Sequence, residues 1–295
     1  MINKFMIILV TCGALLLPAC ASNTALEHYA QGDIYSEEGK WDEAIVEYER
    51  AVELDPELID AHDKLAVAYS NRGWAYNEEE QWDLAISDLS KAIELKPDLA
   101  EAYNNRGWAY NEKEQWDLAI FDLDKAIELD PNLAVAYKNL AVAYNERGRA
   151  YDVKKKWELA IADLDKAIEL DPAMAEAYNN RGWAYDGKQQ YDVAIIDLDK
   201  AIELDPAMAE AYSNRGWAYI GKKQYNRAIT DLDKAIELDP ELAVAYINRG
   251  LAYYYKNMKV EAIADFKKVL EVTDDPELTA VAKKYIAIMG GSSTP

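Results

Sequence analysis

AEAYNNRGWAYNEKEQWDLAIFDLDKAIELDPNL, residues 100–133, is a 34-residue stretch that recurs almost letter for letter at residues 175–208 and 209–242. Weaker copies with the same pattern occupy residues 25–58, 66–99, 141–174 and 243–276. A fixed period of this size is typical of a solenoid, in which each repeat buries its apolar face against its neighbours. The seven copies predict one repeat array rather than the two globular domains that 295 residues would otherwise suggest.

The residues that recur at fixed places in each copy resemble those of the tetratricopeptide-repeat (TPR) family. In the third copy they are Tyr103, Gly107, Tyr110, Ala119, Leu123, Ala126 and Pro131. The resemblance covers residues 25–276 and implies an all-α fold, a right-handed TPR superhelical solenoid of antiparallel helix pairs. Because fold alone does not fix function, the site chemistry has to be argued separately.

Each repeat reads as two helices joined by a tight turn and ended by Asp-Pro. In the third repeat we expect helices at about Ala100–Lys113 and Trp116–Leu129, since Pro131 cannot continue a helix. Gly107 lies inside the first helix, where glycine costs about 1 kcal/mol relative to alanine. Its recurrence predicts close packing of the two helices, with the column represented by Ala119 as the expected facing surface.

Two insertions of seven residues interrupt the 34-residue spacing, at 59–65 and 134–140. Seven residues are two helical turns, and these segments contain neither glycine nor proline, so we expect two lengthened helices rather than two loops. Residues 277–289 predict an amphipathic capping helix, which a solenoid needs at its end to stay soluble. Residues 290–295 are expected to be a short disordered tail.

The first 20 residues differ in kind from the repeats. Lys4 precedes an apolar run that is too short for a comfortable membrane span, which predicts a signal peptide. The run ends in Leu17-Pro18-Ala19-Cys20, which resembles a bacterial lipobox with Cys20 as the lipidated residue. Ordinary cleavage near this small-residue site is the alternative. Residues 21–24 would form only a short tether.

This leader implies an exported protein held to the bacterial membrane through its N-terminal lipid. In a cell with an outer membrane, family sorting rules imply the outer membrane, facing the periplasm; otherwise the outer face of the cytoplasmic membrane is expected. The other cysteine, Cys12, would leave with the leader. The mature chain would then hold no disulfide and depend on helix packing for its stability.

The chain is acidic, with a formal net charge of −22. Residues 21–99 hold 20 acidic and 6 basic side chains, whereas residues 243–295 hold 6 acidic and 7 basic ones. Nucleic acids and anionic lipid surfaces are bound mainly through Lys and Arg, so this balance argues against both. Only two histidines occur, His28 and His62, and no nucleophile motif, phosphate loop or metal-ligand spacing is present. We therefore expect no enzyme activity, no cofactor and no metal.

Two charged columns run through the repeats. Arginine stands at the seventh position of six repeats (Arg72, Arg106, Arg147, Arg181, Arg215, Arg249), and aspartate stands at the twenty-third (Asp88, Asp122, Asp163, Asp197, Asp231, Asp265). The first repeat changes both together, to Gln31 and Glu47. The joint change predicts Arg–Asp pairs between the two helices, because a desolvated guanidinium requires a partner. A row of arginines that binds anions is the alternative.

Two further columns lie at positions that line the inner groove in TPR proteins. The tryptophans are Trp74, Trp108, Trp183 and Trp217, and the asparagines are Asn71, Asn105, Asn180, Asn214 and Asn248. Asparagine amides can bind the backbone of an extended peptide, and tryptophan provides large contacts typical of binding anchors. Packing between repeats is the equally weighted alternative for the tryptophans.

These observations predict a non-catalytic interaction scaffold at the bacterial cell envelope. We expect a protein or peptide partner in the concave groove, with aliphatic and basic side chains that complement tryptophan, asparagine and acid. The alternative is a structural envelope protein that self-associates into a homo-oligomer without a foreign peptide ligand. Glycan binding along the tryptophan row is a further possibility. The sequence does not identify the partner.

Overall fold

The computed structural model describes residues 24–290, and these residues form helices joined by short turns. The leader and Cys20 lie outside this range, as do most of the tether and of the expected C-terminal tail. The described chain divides between Ala143 and Tyr144 into two compact bodies. We call residues 24–143 the N-terminal body and residues 144–290 the C-terminal body.

Fifteen helices are seen within residues 24–290, and no strand is seen there. The first, α1, covers residues 24–37. The others, α2 to α15 in order, are Trp41–Leu54, Ile59–Glu78, Trp82–Leu95, Ala100–Glu112, Trp116–Leu129, Ala134–Val153, Trp157–Leu170, Ala175–Gly187, Tyr191–Leu204, Ala209–Gly221, Tyr225–Leu238, Ala243–Tyr255, Lys259–Val272 and Pro276–Ile288. Odd-numbered helices up to α13 are the first helices of repeats, and α3, α5, α9, α11 and α13 each pack on the helix that follows.

The inserted heptads lie within regular helix. Helices α3 and α7 each have 20 residues, against 13 for α5, α9, α11 and α13. Residues 59–65 and 134–140 form the first two turns of α3 and α7, as their lack of helix-breaking residues predicts.

A residue in the left-handed backbone region joins the two helices of each repeat. Gly39 holds this place in the first repeat with φ of 71°, and Glu114 holds it in the third with φ of 56°. The remaining repeats use Glu80, Lys155, Gln189, Lys223 and Asn257, with φ between 56° and 61°. Side chains with a Cβ are disfavoured here, so six of the seven turns carry a local conformational cost.

Most glycines of the column pack against a leucine side chain and beside the expected alanine. A Cβ added to Gly107 would lie 2.7 Å from Cγ of Leu123, and 3.3 Å from the carbonyl oxygen of Ala119. The same arrangement recurs at Gly182, which faces Leu198 and the Ala194 carbonyl oxygen. The expected alanine therefore does face the glycine, through its backbone carbonyl oxygen, and the leucine side chain beside it makes the closest approach.

Each body has its own apolar core. In the N-terminal body Tyr48, Tyr69 and Leu89 are buried among alanines. In the C-terminal body the largest cluster includes Leu232, Phe266 and Ile286. Ile286 belongs to α15, whose Asp275 accepts backbone hydrogen bonds from Glu277 and Leu278 as an N-cap. The last helix therefore covers the apolar end of this body, which is the task of a cap.

Candidate functional site

The arginine and aspartate columns form the predicted pairs. Arg106 donates from Nε to Asp122 Oδ2 at 2.7 Å and from Nη2 to Asp122 Oδ1 at 2.9 Å. All six pairs show this two-bond geometry, and their aspartates are 1–7% exposed. The pairing prediction is confirmed, and these bidentate bonds give the column a structural role.

A third acid, which the sequence reading missed, extends the pairs between neighbouring repeats. Nη1 of Arg215 donates to Asp199 Oδ1 at 2.6 Å, and Nη1 of Arg249 donates to Asp233 Oδ1 at 2.6 Å. Arg181 contacts Asp165 in the same way. The signal was readable, because aspartate recurs two residues after the paired aspartate. These bonds connect the fifth, sixth and seventh repeats each to the preceding one.

The asparagine column connects repeats as well. The amide of Asn180 donates to Asn145 Oδ1 at 3.0 Å, and that of Asn214 donates to Asn179 Oδ1 at 2.9 Å. Asn105 accepts from Asn104 at 3.0 Å, and Asn248 is 6% exposed. Asn71 is half-buried. The amides of Asn180 and Asn214 are therefore already bonded within the protein and are poorly placed to bind a peptide backbone.

The tryptophan column combines exposed ring surface with bonds to neighbouring groups. Trp74 and Trp183 are 49% and 41% exposed, while Trp108 and Trp217 are half-buried. The indole N–H of Trp183 bonds to Asp152, and that of Trp217 bonds to Asp186, each across one repeat boundary. The column can therefore both pack between repeats and bind a partner. The indole N–H edge of a ring bonds to a neighbouring group, while the face of the ring stays accessible.

A cleft of about 440 Å³ lies on the N-terminal body, between the ends of α3 and α5 and the start of α4. We call it the Trp108 cleft; its lining residues are Asn77, Glu78, Glu80, Trp82, Trp108 and Glu112. The rings of Trp82 and Trp108 meet edge to face with centroids 6.0 Å apart. Glu112 accepts from the Trp108 indole at 3.2 Å. Among residues 24–290, no cationic side chain pairs with the three glutamates.

A row of buried polar side chains lies at the twelfth repeat position, behind the exposed tryptophans. Asn77 and Asn111 donate their amides to the backbone carbonyl oxygens of Asn105 and Asn139, at 2.8 and 3.0 Å. Asp152 and Asp186 hold the equivalent places, and Oδ1 of each is buried without a hydrogen-bond partner. Close approach of the next first helix covers Asn77, Asn111 and Asp186.

Burial changes the titration of these two carboxyls. It raises the pKa of Asp186 to about 6. The hydrogen bond from Trp217 lowers this pKa, and the negative charge of Asp152 raises it. Burial also raises the pKa of Asp152, and the hydrogen bond from Trp183 lowers it by a smaller amount. A protonated carboxyl can donate as an amide does, so the neutral form of Asp186 suits this position better than the charged form.

The histidines take part in local contacts. His28 Nδ1 lies 2.6 Å from Glu47 Oε2, so the first repeat replaces the Arg–Asp pair with a different one. His62 Nε2 lies 3.1 Å from the carbonyl oxygen of Pro56. Across residues 24–290, no group of three or more His, Cys, Asp or Glu side chains is arranged to hold a metal ion. None of the helices in that range is long and apolar enough to cross a membrane.

The sequence matches tetratricopeptide-repeat families without a gap from residue 32 to residue 276. The matches described as "TPR repeat" cover residues 32–73, 73–113 and 148–188. Those described as "Tetratricopeptide repeat" cover residues 100–133, 209–242, 175–208, 243–276 and 123–154. No curated protein sequence matches the chain.

The chain is similar to several solved structures of repeat proteins. YrrB, described as a TPR protein with an unusual peptide-binding site, is 26% identical, with 66% of this chain and 97% of that one covered and a TM-score of 0.51. The C-terminal part of a TPR repeat-containing protein from Cytophaga hutchinsonii is 20% identical, with 86% and 98% covered and a TM-score of 0.56. MamA is 32% identical, with 56% and 92% covered and a TM-score of 0.46.

Proposed function

This chain belongs to the tetratricopeptide-repeat family, and we propose that it is a non-catalytic scaffold that binds a protein or peptide partner on its first-helix face, at the bacterial cell envelope. The Trp108 cleft carries the binding proposal. It presents two aromatic rings and three carboxylates without cationic partners at one recess. Fixed aromatic surface beside unpaired charge is characteristic of a binding anchor.

The chemistry of the cleft defines the partner. Glu78, Glu80 and Glu112 favour a cation, and the faces of Trp82 and Trp108 favour an apolar or guanidinium group. An arginine or lysine side chain, flanked by aliphatic residues in an extended or helical segment, satisfies both requirements. The peptide-binding site named for YrrB supports this use of a TPR array of similar sequence.

A capture experiment tests the binding proposal. The full-length protein, purified from solubilised envelopes, is compared with a Trp108→Ala/Glu78→Gln/Glu112→Gln variant. The control variant is Phe121→Ala/Glu94→Gln/Glu128→Gln, which removes one exposed aromatic and two exposed carboxylates from second helices. We expect the cleft variant to lose its partner and the control to retain it, with equal helicity in both. Equal capture by both variants would refute the cleft as the binding site.

The envelope location rests on the leader and is tested separately. We propose that Cys20 carries the lipid and that the mature chain begins there. Cells grown with an alkyne fatty acid are expected to label the wild-type chain and to leave a Cys20→Ala variant unlabelled and unprocessed. A wild-type chain that is cleaved, unlabelled and recovered in the soluble envelope fraction would show ordinary secretion instead.

A further inference from the structure

The start of α12 differs from the equivalent places in the preceding repeats. In three earlier repeats an acid at the second residue of the second helix pairs with a lysine that follows the first helix of the next repeat. Lys113 pairs with Asp83, Lys222 pairs with Asp192, and Lys188 Nζ lies 3.1 Å from Glu158 Oε1. These three lysine side chains are only 26–27% exposed. The pairing neutralises the lysine and connects two repeats.

The sixth repeat breaks this pattern in two adjacent residues. Asn226 stands where the acid stands elsewhere, so Lys256, the equivalent lysine, has no carboxylate partner within residues 24–290 and is exposed. Arg227 follows where repeats two to five have Leu84, Leu118, Leu159 or Val193. Two changes away from the repeat pattern therefore both increase positive charge at one place.

These residues line a surface cleft of about 490 Å³. Its lining residues are Lys223, Gln224, Tyr225, Asn226, Arg227 and Lys256, which include three cations and no carboxylate. Arg227 is oriented by donating Nη1 to Gln224 Oε1 at 3.1 Å, and its guanidinium lies 5.7 Å from the ring centroid of Tyr219. The rings of Tyr225 and Tyr255 stack at 5.5 Å beside the cleft. Arg227 is thus held in place at the cleft.

Backbone N–H groups at the start of α12 add further hydrogen-bond donors with partial positive charge. Cleft residues 225–227 form the first turn of α12, and this turn holds no acidic residue, unlike the first turns of α4, α8 and α10. The N–H of Arg227 donates to the carbonyl oxygen of Gln224 at 3.0 Å, whereas the N–H groups of Tyr225 and Asn226 have no partner within the helix and lie at the positive end of its dipole. Together with Lys223, Arg227 and Lys256, they form a cradle for an oxyanion.

We propose that this cleft binds a phosphate group. The geometry provides a guanidinium that can donate several N–H bonds, two ammonium groups and the backbone N–H groups of Tyr225 and Asn226, which match the several oxygens of a phosphate. In a chain with net charge −22, one site of opposite sign also selects where an anion can dock. The phosphate can belong to a soluble phosphorylated molecule or to a lipid headgroup. This inference is independent of the partner proposed for the Trp108 cleft.

Nuclear magnetic resonance tests the site on the full chain in zwitterionic detergent, with the backbone N–H signals of Tyr225 and Asn226 and the Nε–H signal of Arg227 as the readout. Inorganic phosphate is the first probe. We expect saturable shifts, and at least about tenfold weaker binding in Asn226→Asp/Arg227→Val, which restores the repeat pattern and so preserves the fold. A Lys113→Gln/Lys188→Gln variant changes net charge equally and is expected to bind like wild type.

A gain-of-function variant sharpens the test. In the Asn226→Asp/Arg227→Val background, Gln189→Lys/Asp192→Asn/Val193→Arg recreates the same residues at the start of α10, where Lys222 takes the place of Lys256. We expect phosphate binding to return there. Absence of saturable binding in wild type, or equal binding in wild type and Asn226→Asp/Arg227→Val, would overturn the proposal.

Micelles that contain phosphatidylglycerol or phosphatidylcholine distinguish the two sources of phosphate. Shifts at the start of α12 that require phosphatidylglycerol and the intact cleft would identify a lipid headgroup. Shifts with inorganic phosphate alone would identify a soluble phosphorylated ligand. Either result supports the phosphate site.

Discussion

Arg106 on α5 and Asp122 on α6 are joined by two hydrogen bonds, Nε to Oδ2 at 2.7 Å and Nη2 to Oδ1 at 2.9 Å. Asp122 is 1% exposed, so its carboxylate depends on this one guanidinium for charge compensation. Because five other repeats contain the same pair, it defines how the two helices of a repeat are held together.

The pair predicts strong coupling in a double-mutant cycle. Arg106→Leu alone leaves a buried carboxylate uncompensated and is expected to lower the free energy of unfolding by about 3–5 kcal/mol. Arg106→Leu/Asp122→Leu removes both charges and is expected to be far milder. Urea unfolding followed by circular dichroism measures the four species. Additive losses would show that the two side chains do not act as a pair.

Asp186 predicts a pH-dependent stability. Its pKa is raised to about 6 in the folded chain, so the folded state binds this proton more tightly than the unfolded state does. The stabilisation by the bound proton is fully present below about pH 4, which is the pKa of an aspartate in the unfolded chain. It decreases as pH rises through about 6, the pKa in the folded chain, and is absent at higher pH. The loss attributable to this group is on the order of 2–3 kcal/mol.

An amide side chain at position 186 should remove this loss of stability at high pH. Asp186→Asn can donate to the next helix as Asn77 and Asn111 do. It is therefore expected to be more stable than wild type at pH 7.5, with the difference shrinking below pH 5. Glu176→Gln removes an exposed carboxyl from the same helix and serves as the control. A constant difference between Asp186→Asn and wild type across this pH range would contradict the assignment.

The glycine column predicts a steric penalty. The methyl group of Gly107→Ala would lie 2.7 Å from Leu123 Cγ, which is too close, and the nearby Ala119 carbonyl oxygen limits the adjustment. We expect a loss of about 1–3 kcal/mol despite the higher helix propensity of alanine. Thermal unfolding of Gly107→Ala and Gly107→Ala/Leu123→Ala provides the check. If Gly107→Ala is as stable as wild type, close helix packing does not explain the column.

The turn residues predict a gain in stability. Glu114 has φ of 56°, and Glu114→Gly should relieve the cost of a Cβ in this region, by up to about 1 kcal/mol. Asn257→Gly is expected to gain less, because asparagine tolerates the left-handed region better. Chemical denaturation of the two variants measures the difference. A larger gain at Asn257 would exclude backbone strain as the cause.

The periodic features of this chain were predictable from sequence because repetition makes them independent of any one residue. The Asp-Pro stops end the second helices near Leu129 and its equivalents, and the joint change to Gln31 and Glu47 revealed the Arg–Asp pairs. What sequence could not decide was exposure. Asn180 reads as groove surface by its position, yet its amide bonds to the neighbouring repeat.

Some informative residues were not recognised from the alignment of the repeats. Asn226 and Arg227 depart from the second-helix pattern, and their meaning depends on Lys256, which lies 30 residues away in sequence. Similarly, Asp186 looks like an ordinary surface acid until the packing of the next first helix covers it. Both cases depend on which residues of the next repeat lie close in space, and the 34-residue period alone does not show this.

The central proposal is that a partner binds the first-helix face at the Trp108 cleft. Hydrogen exchange, measured on the captured complex and on the chain alone, tests it most directly. We predict slower exchange of the Trp108 indole N–H and of amides near the C-terminal ends of α3 and α5 in the complex, with the second helices unchanged. Protection confined to second helices or to α15, with the Trp108 indole unaffected, would contradict the proposal.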